Sequence, residues 1–127
     1  MRPRDLAEVH AVVDVAQATS TPLTSRGAGT SIAGNAIGTG IVMDFSKHLN
    51  QVLAIDEATA TAEVQPGVVH AVLQKAARPF GLRYGPDPST HTRCTVGGMI
   101  GNNACGNRAL GYGRSADNIA ALDLLTA

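Results

Sequence analysis

Leu6, Val9, Val13 and Ala16 stand three and four residues apart, a spacing that predicts one apolar face of a helix over residues 5–18. Asp5 with Glu8 three positions later forms a capping box at its start, and Pro3 sits just outside. Thr19-Ser20-Thr21-Pro22 stops the helix, and Leu23-Thr24-Ser25 is a short strand candidate. Ile41-Val42-Met43 is a brief apolar run ending at Asp44, as expected of a buried strand. Val52–Asp56 and Ala60–Val64 are β-rich runs on either side of a Glu57-Ala58-Thr59 turn, which predicts a hairpin. After Pro66-Gly67, a second helix is expected with Val69, Val72, Leu73 and Ala76 on one face, ended by Pro79 and Gly81. Gly85-Pro86-Asp87-Pro88 has to be a turn or extended loop. Residues 118–126 are expected to form a final strand, with a helical start as the other possibility.

Between these elements lie two segments with almost no periodicity. The chain has 14 glycines in 127 residues, and they cluster. Gly27, Gly29, Gly34, Gly38 and Gly40 share one window; Gly97, Gly98, Gly101, Gly106, Gly111 and Gly113 share another. Neither window carries a charged side chain over most of its length. The rest of the composition narrows the classes available. At 44% hydrophobic and 16% charged, the chain can bury a core and is not disordered. Ten basic residues against ten acidic ones argue against a general nucleic-acid binder. No apolar run approaches the ~20 residues needed to cross a bilayer, and the start has no apolar signal segment. Cys94 and Cys105 make no CxxC pair, so a cytoplasmic, reducing setting is expected. The abrupt start and the apolar end at Leu124-Leu125-Thr126-Ala127 lead us to expect a fragment of a longer chain.

The first segment, Arg26-Gly27-Ala28-Gly29-Thr30-Ser31-Ile32-Ala33-Gly34-Asn35-Ala36, has the composition of an anion cradle. Glycines admit the backbone conformations that converge several N–H groups on a phosphate, and Thr30 and Ser31 add small hydroxyl donors. The Walker pattern matches Gly29 and Gly34 but puts Asn35 where a lysine must stand. The dinucleotide pattern matches Gly27 and Gly29 but puts Ile32 in place of the third glycine. A loop without lysine suits a bridged pyrophosphate better than a nucleoside triphosphate. A ligand-free glycine-rich surface loop is the other reading of the segment taken alone. The second segment, from Pro86 through Gly113, offers small residues, amides and hydroxyls, as a flat ring system approached by backbone would require.

The two segments in this order resemble the FAD-binding domain of the vanillyl-alcohol-oxidase-like flavoproteins, in the branch of glycolate oxidase subunits, D-lactate dehydrogenases and D-2-hydroxyglutarate dehydrogenases. The matching stretches include Arg26-Gly27-Ala28-Gly29-Thr30, Val64-Gln65-Pro66-Gly67-Val68, Pro86-Asp87-Pro88-Ser89, Thr95-Val96-Gly97-Gly98, Asn102-Asn103-Ala104-Cys105-Gly106 and Leu110-Gly111-Tyr112-Gly113. The resemblance implies an α+β fold, the PCMH-type FAD-binding domain of two α/β lobes. Residues 1–57 would form the first lobe and 58–127 part of the second, with the substrate domain absent.

The resemblance also implies that Gly27, Ala28, Gly29, Thr30 and Ser31 wrap the FAD diphosphate, with Gly34 and Asn35 closing the loop toward the ribityl side. Pro86, Asp87, Ser89, Gly97, Gly98, Asn102 and Gly106 would line the flavin and ribityl chain. Arg26 would either pair with the pyrophosphate or orient the loop. Thr30 stands where covalent members carry histidine, which implies non-covalent FAD. An iron–sulfur cluster is expected only in a downstream domain, since neither cysteine here lies in a cluster frame.

The implied activity is oxidation of a small 2-hydroxy acid with an unidentified electron acceptor. A reductase or a sugar or alcohol oxidase of the same fold is the alternative, as is an inactive domain that forms homo-oligomers. No catalytic residue and no metal ligand is assigned. His10, His48 and His70 are expected at the surface and Tyr112 in the core, while His91 lies within the second segment.

Overall fold

The structure is a computed structural model that describes residues 1–126. Ala127, the last residue of the expected second lobe, lies outside the described residues.

Helix α1 spans Leu6–Ala18. Its N-cap Asp5 accepts from the Glu8 amide at 2.9 Å, which is half of the expected capping box. The other half is displaced by one residue: Glu8 reaches back to the Arg4 amide at 2.8 Å and pairs with the Arg4 guanidinium. The buried face is Val9, Val12, Val13 and Ala16, while Leu6 is exposed. Val9, Val13 and Ala16 keep the expected face, and Val12 replaces Leu6 on it, packing into the apolar cluster that Leu6 does not join.

Strand β1 (Leu23–Arg26) pairs in parallel with β2 (Ile41–Asp44), with Leu23 opposite Ile41 and Arg26 opposite Asp44. A parallel pair cannot be closed by a tight turn, since the chain must run back the length of the strand. Residues 27–40, the first glycine segment, make that return without a helix. The return leg lies flat on β1: a Cβ on Gly38 would overlap the Thr24 hydroxyl, and one on Gly40 would overlap the Pro22 carbonyl. Val9, Val12 and Val13 of α1 pack with Met43 and Leu49 into one apolar cluster, each such side chain contributing about 1.5–3 kcal/mol by leaving water.

Strands β3 (Val52–Asp56) and β4 (Thr61–Val64) form an antiparallel hairpin with an irregularity at Val52/Ala54. Asp56 Oδ1 gathers the Ala58 and Thr59 amides, tightening the turn. The expected strand start at Ala60 moves to Thr61, because Ala60 takes a left-handed φ of 53°. Helix α2 spans His70–Ala77 and runs into a 3-10 turn at Arg78–Phe80, closed by left-handed Gly81. Its buried residues are His70, Leu73 and Ala77, whereas Val72 is exposed. A second apolar cluster joins Val68, Leu73 and Val96, with Val52, Val64, Tyr84 and Ile100 packed against it.

The second glycine segment holds two short helices where no helical periodicity is present, α3 (Val96–Gly101) and α4 (Ala109–Tyr112). A final 3-10 turn covers Ser115–Asn118, where Asp117 accepts from the Arg114 amide and Asn118 donates to two carbonyls. The expected strand over residues 118–126 is not formed. Each sheet has two strands, and among the described residues none pairs with this stretch. Tyr112 is also not in the core; it is exposed, with the Arg83 guanidinium 5.7 Å from its ring centre.

Candidate functional site

The pass between the two apolar clusters is the stretch Pro66-Gly67-Val68. Gly67 donates to Leu49 O at 2.8 Å, and a Cβ there would overlap the Phe45 carbonyl. On its other side, Gly97 donates to Pro66 O at 2.9 Å and Val96 to Val68 O at 2.8 Å. A Cβ on Gly97 would lie 2.7 Å from Pro66 Cβ, so only glycine lets α3 sit this close. Thr95 starts α3 by accepting from the Gly98 amide at 3.4 Å, and it is fully buried.

This seat brings the two glycine segments together. A Cβ on Gly27 would collide with the Thr95 hydroxyl, so the first loop leaves β1 directly over the start of α3. Further along, Asn35 Nδ2 donates to Asn102 Oδ1 at 2.9 Å. Asn102 in turn donates to Gly98 O at 2.9 Å, capping the end of α3. Gly27 and Asn35 of the first segment thereby meet Thr95 and Asn102 at the two ends of α3. Gly29 and Gly34 adopt positive φ values of 68° and 77°, which turn the loop sharply. The Arg26 guanidinium lies beneath Gly29, and a Cβ on that glycine would come within 2.9 Å of it.

Arg26 Nε is buried and has no partner among the described residues. A buried donor on a charged group is costly unless something accepts from it. Arg26 also borders a cleft of about 480 Å3 at the C-terminal end of the parallel pair, shared with Met1, Arg2, Val42 and Asp44. Two guanidiniums face one carboxylate there, leaving room for an anion. Asp44 is partly buried, which opposes its ionisation, yet bonds from Ser46 and the nearby Arg2 and Arg26 hold it below the usual carboxylate range. An unsatisfied guanidinium donor, beside a loop whose glycines leave the backbone bare, fits a bridged diphosphate.

The remaining expected residues form a second group. A Cβ on Gly106 would overlap the Asp87 carbonyl, so the backbone at Gly106 lies directly on Asp87-Pro88. Arg108 Nε stands 3.5 Å from Asp87 Oδ2. Pro86 is buried, and its carbonyl accepts from His70 Nε2 at 2.9 Å. Ser89, Ala28, Thr30 and Ser31 lie at exposed or half-buried positions, and no side-chain bond ties any of them to the other segment among the described residues. Cys105 is exposed and Cys94 buried.

Sequence reasoning missed three buried polar groups that shape this region: the His70 ring, the hydroxyl of partly buried Tyr84, and Ser115. His70 is 1% exposed, so its expected surface position is wrong. Ser115 is 0% exposed and bonds Ala104 O through both its amide and its hydroxyl, pinning the second segment. Periodicity counts only apolar residues, so none of these gave a signal. Gln74, one helical turn after His70, offered a partial one. His10 and His48 are exposed as expected, and so is His91.

Over residues 1–127 the sequence matches the family described as FAD binding domain. The chain belongs to that family. Its α+β architecture is that of the PCMH-type FAD-binding domain, and FAD is the cofactor this family holds. It is 39% identical over 127 residues to the glycolate oxidase subunit GlcD of Bacillus subtilis (strain 168), covering 98% of this chain and 27% of that protein. It is 35% identical over 120 residues to D-2-hydroxyglutarate dehydrogenase of Escherichia coli (strain K12), covering 92% of this chain and 12% of the other. Among solved structures it is similar to alkyldihydroxyacetonephosphate synthase, with a TM-score of 0.77 and 26% identity, over 90% of this chain and 24% of that one. The FAD-binding chain thus spans about a quarter or less of the relatives it matches. No helix among its described residues is long and apolar enough to cross a membrane.

Proposed function

We propose that this chain is the FAD-holding part of a larger oxidoreductase that acts on a 2-hydroxy acid of the glycolate, D-lactate or D-2-hydroxyglutarate type. The observation that carries this reading is the joining of two uncharged glycine segments, through Gly27 on Thr95 and Asn35 on Asn102, beside an Arg26 donor without a partner. Gly27, Ala28, Gly29, Thr30 and Ser31 hold the diphosphate through backbone amides and hydroxyls, and Arg26 supplies a positive charge. Gly34 and Asn35 close this loop toward the ribityl chain. Pro86, Asp87, Ser89, Gly97, Gly98, Asn102 and Gly106 present small surfaces to the flavin. Thr30 stands where covalent members of the family carry histidine, and its hydroxyl is a weak nucleophile, so the nucleotide is held non-covalently.

We take the two apolar clusters as the cores of two lobes, residues 1–57 and 58–127, with Val52 of the first packed on the core of the second and the nucleotide extended between them. When bound, FAD supplies the acceptor for the hydride leaving the substrate's α-carbon. The chain's own contribution is to bind and orient. Backbone amides aimed at the ring's polar edge would favour the charge that builds there in the reduced state. The substrate's carboxylate and the base belong to another domain, for which the greater length of the relatives leaves room.

Of the chemistries hosted on this fold, the 39% identity to a glycolate oxidase subunit favours a hydroxy acid over the reaction of the 26% identical synthase. The test is reconstitution of the longer protein with FAD and addition of glycolate, D-lactate or D-2-hydroxyglutarate under exclusion of air. Loss of the oxidised flavin's visible band with one of them is expected. A flavin band that none of them bleaches would contradict the substrate class, and no flavin band at all would contradict the whole reading.

A further inference from the structure

A second cleft, of about 390 Å3, opens beside α2, bordered by His70, Arg78, Leu82, Arg83, Asp87 and His91. Of these only Asp87 belongs to the glycine-segment site.

His70 sets its chemistry. The ring's Nε2 is 2.9 Å from the Pro86 carbonyl, which can only accept, so Nε2 carries the proton. Gln74 lies 3.1 Å from the same nitrogen, but its amide is committed to Tyr84, donating to the carbonyl at 2.8 Å and accepting from the amide at 3.1 Å. Neither group reaches Nδ1. That atom is buried and has no partner among the described residues, on a side chain 1% exposed. Burial favours the neutral ring, against the pull of Asp87 and with the push of His91 and Arg83. Nδ1 is therefore a bare lone pair that requires a donor.

The rest of the border is cationic. Arg78 and Arg83 face the cleft, and Arg83 is steadied over the Tyr112 ring at 5.7 Å. Asp87 is answered by Arg108 at 3.5 Å, so its charge does not cancel theirs. The His91 ring stands edge-on to His70, with centroids 6.1 Å apart. Two guanidiniums repel a metal ion, and no cluster of three ligating side chains exists among the described residues. An occupant has to bring negative oxygens for the arginines and an O–H for Nδ1. Arginine's fork suits phosphate oxygens in particular.

We propose that this cleft binds a monohydrogen phosphate group, its charged oxygens on Arg78 and Arg83 and its P–OH donated to His70 Nδ1. None of the site's donors lies in the first glycine segment, and the site shares only Asp87 and the Pro86 carbonyl with the residues placed against the flavin.

The test is titration of the chain near pH 6, where a phosphomonoester is about half protonated, with inorganic phosphate, glycerol 3-phosphate and sulfate. The readout is heat together with the nitrogen resonances of the histidine rings. Sulfate carries the charge but no proton. Inorganic phosphate is expected to bind about tenfold or more tightly than sulfate and to move the His70 Nδ1 resonance, with Nε2 remaining protonated. Binding of glycerol 3-phosphate as well identifies an esterified group as the natural occupant, whereas its exclusion identifies the free anion. Arg83→Gln, at an exposed position, is expected to weaken phosphate about tenfold, and Lys47→Gln, remote and exposed, to leave it unchanged. Equal binding of sulfate and phosphate would overturn the proposal. So would an unmoved Nδ1 resonance at saturation, or an equal loss in the Lys47→Gln variant.

Discussion

The Asn35 side-chain amide donates to Asn102 Oδ1 at 2.9 Å, across 67 positions of sequence. Because Asn102 also donates to Gly98 O, one side chain closes α3 and anchors the far end of the first glycine loop. Both residues are exposed, so each bond is modest. Asn35→Ala and Asn102→Ala are each expected to cost about 0.5–1.5 kcal/mol. The double variant should cost less than the sum by about 0.5 kcal/mol or more. Urea unfolding of the four proteins measures this coupling, and strict additivity would show that the contact carries no energy.

Gly27 and Gly101 contrast a filled position with an open one. At Gly27 a methyl group meets the buried Thr95 hydroxyl, which also caps α3. Gly27→Ala is expected to cost about 1–3 kcal/mol by overpacking. At Gly101 nothing lies within 4 Å, and Gly101→Ala should be neutral or stabilising by up to about 1 kcal/mol. Thermal unfolding that ranks the two variants in the opposite order would contradict the packing described at Thr95.

His70 makes stability depend on pH in a window above that of the carboxylates. Burial holds its pKa below the ordinary 6.5, so below that value the unfolded chain binds a proton that the folded chain refuses. Stability is therefore fully present above about pH 6.5 and is lost as pH falls through that point, with a slope of at most about 1.4 kcal/mol per pH unit. The lowered carboxylates, Asp44 among them, act only at more acid pH. His70→Gln should be less stable at neutral pH and should lack the slope between about pH 6.5 and 5. An unchanged slope in the variant would assign it elsewhere.

The hairpin was legible because Val52–Asp56 and Thr61–Val64 are β-rich and the turn between them is polar. The first helix was legible as an element but not in the whole of its facing, since Leu6 satisfies the period as well as Val12 does and only packing chooses. Helix α3 was hidden because Gly97-Gly98 is a poor helix sequence. Its close seat on Pro66 requires glycine there, and Thr95 ahead of Val96, Met99 and Ile100 was the signal available. At the candidate site, the two segments were visible from glycine and missing charge. Their juxtaposition through Thr95 and Asn102 was not, because no pattern along the chain encodes a contact between residues so far apart.

Arg26 separates binding from folding. Its Nε is buried without a partner, so the chain gains nothing from that donor until an anion arrives. Arg26→Gln is expected to leave unfolding free energy unchanged or slightly raised while weakening FAD about tenfold. Calorimetric titration alongside urea unfolding measures both. Parallel losses of stability and affinity would make Arg26 a structural residue instead.

Both glycine segments are expected to touch one nucleotide. Backbone amide resonances of the isotopically labelled chain, followed during titration with FAD, address it residue by residue and register weak binding. The expected result is movement of the Gly27–Ser31 amides together with those of Gly97–Asn102, all fitting one dissociation constant. Movement in one segment alone, or saturation by FAD with both segments still, would contradict it.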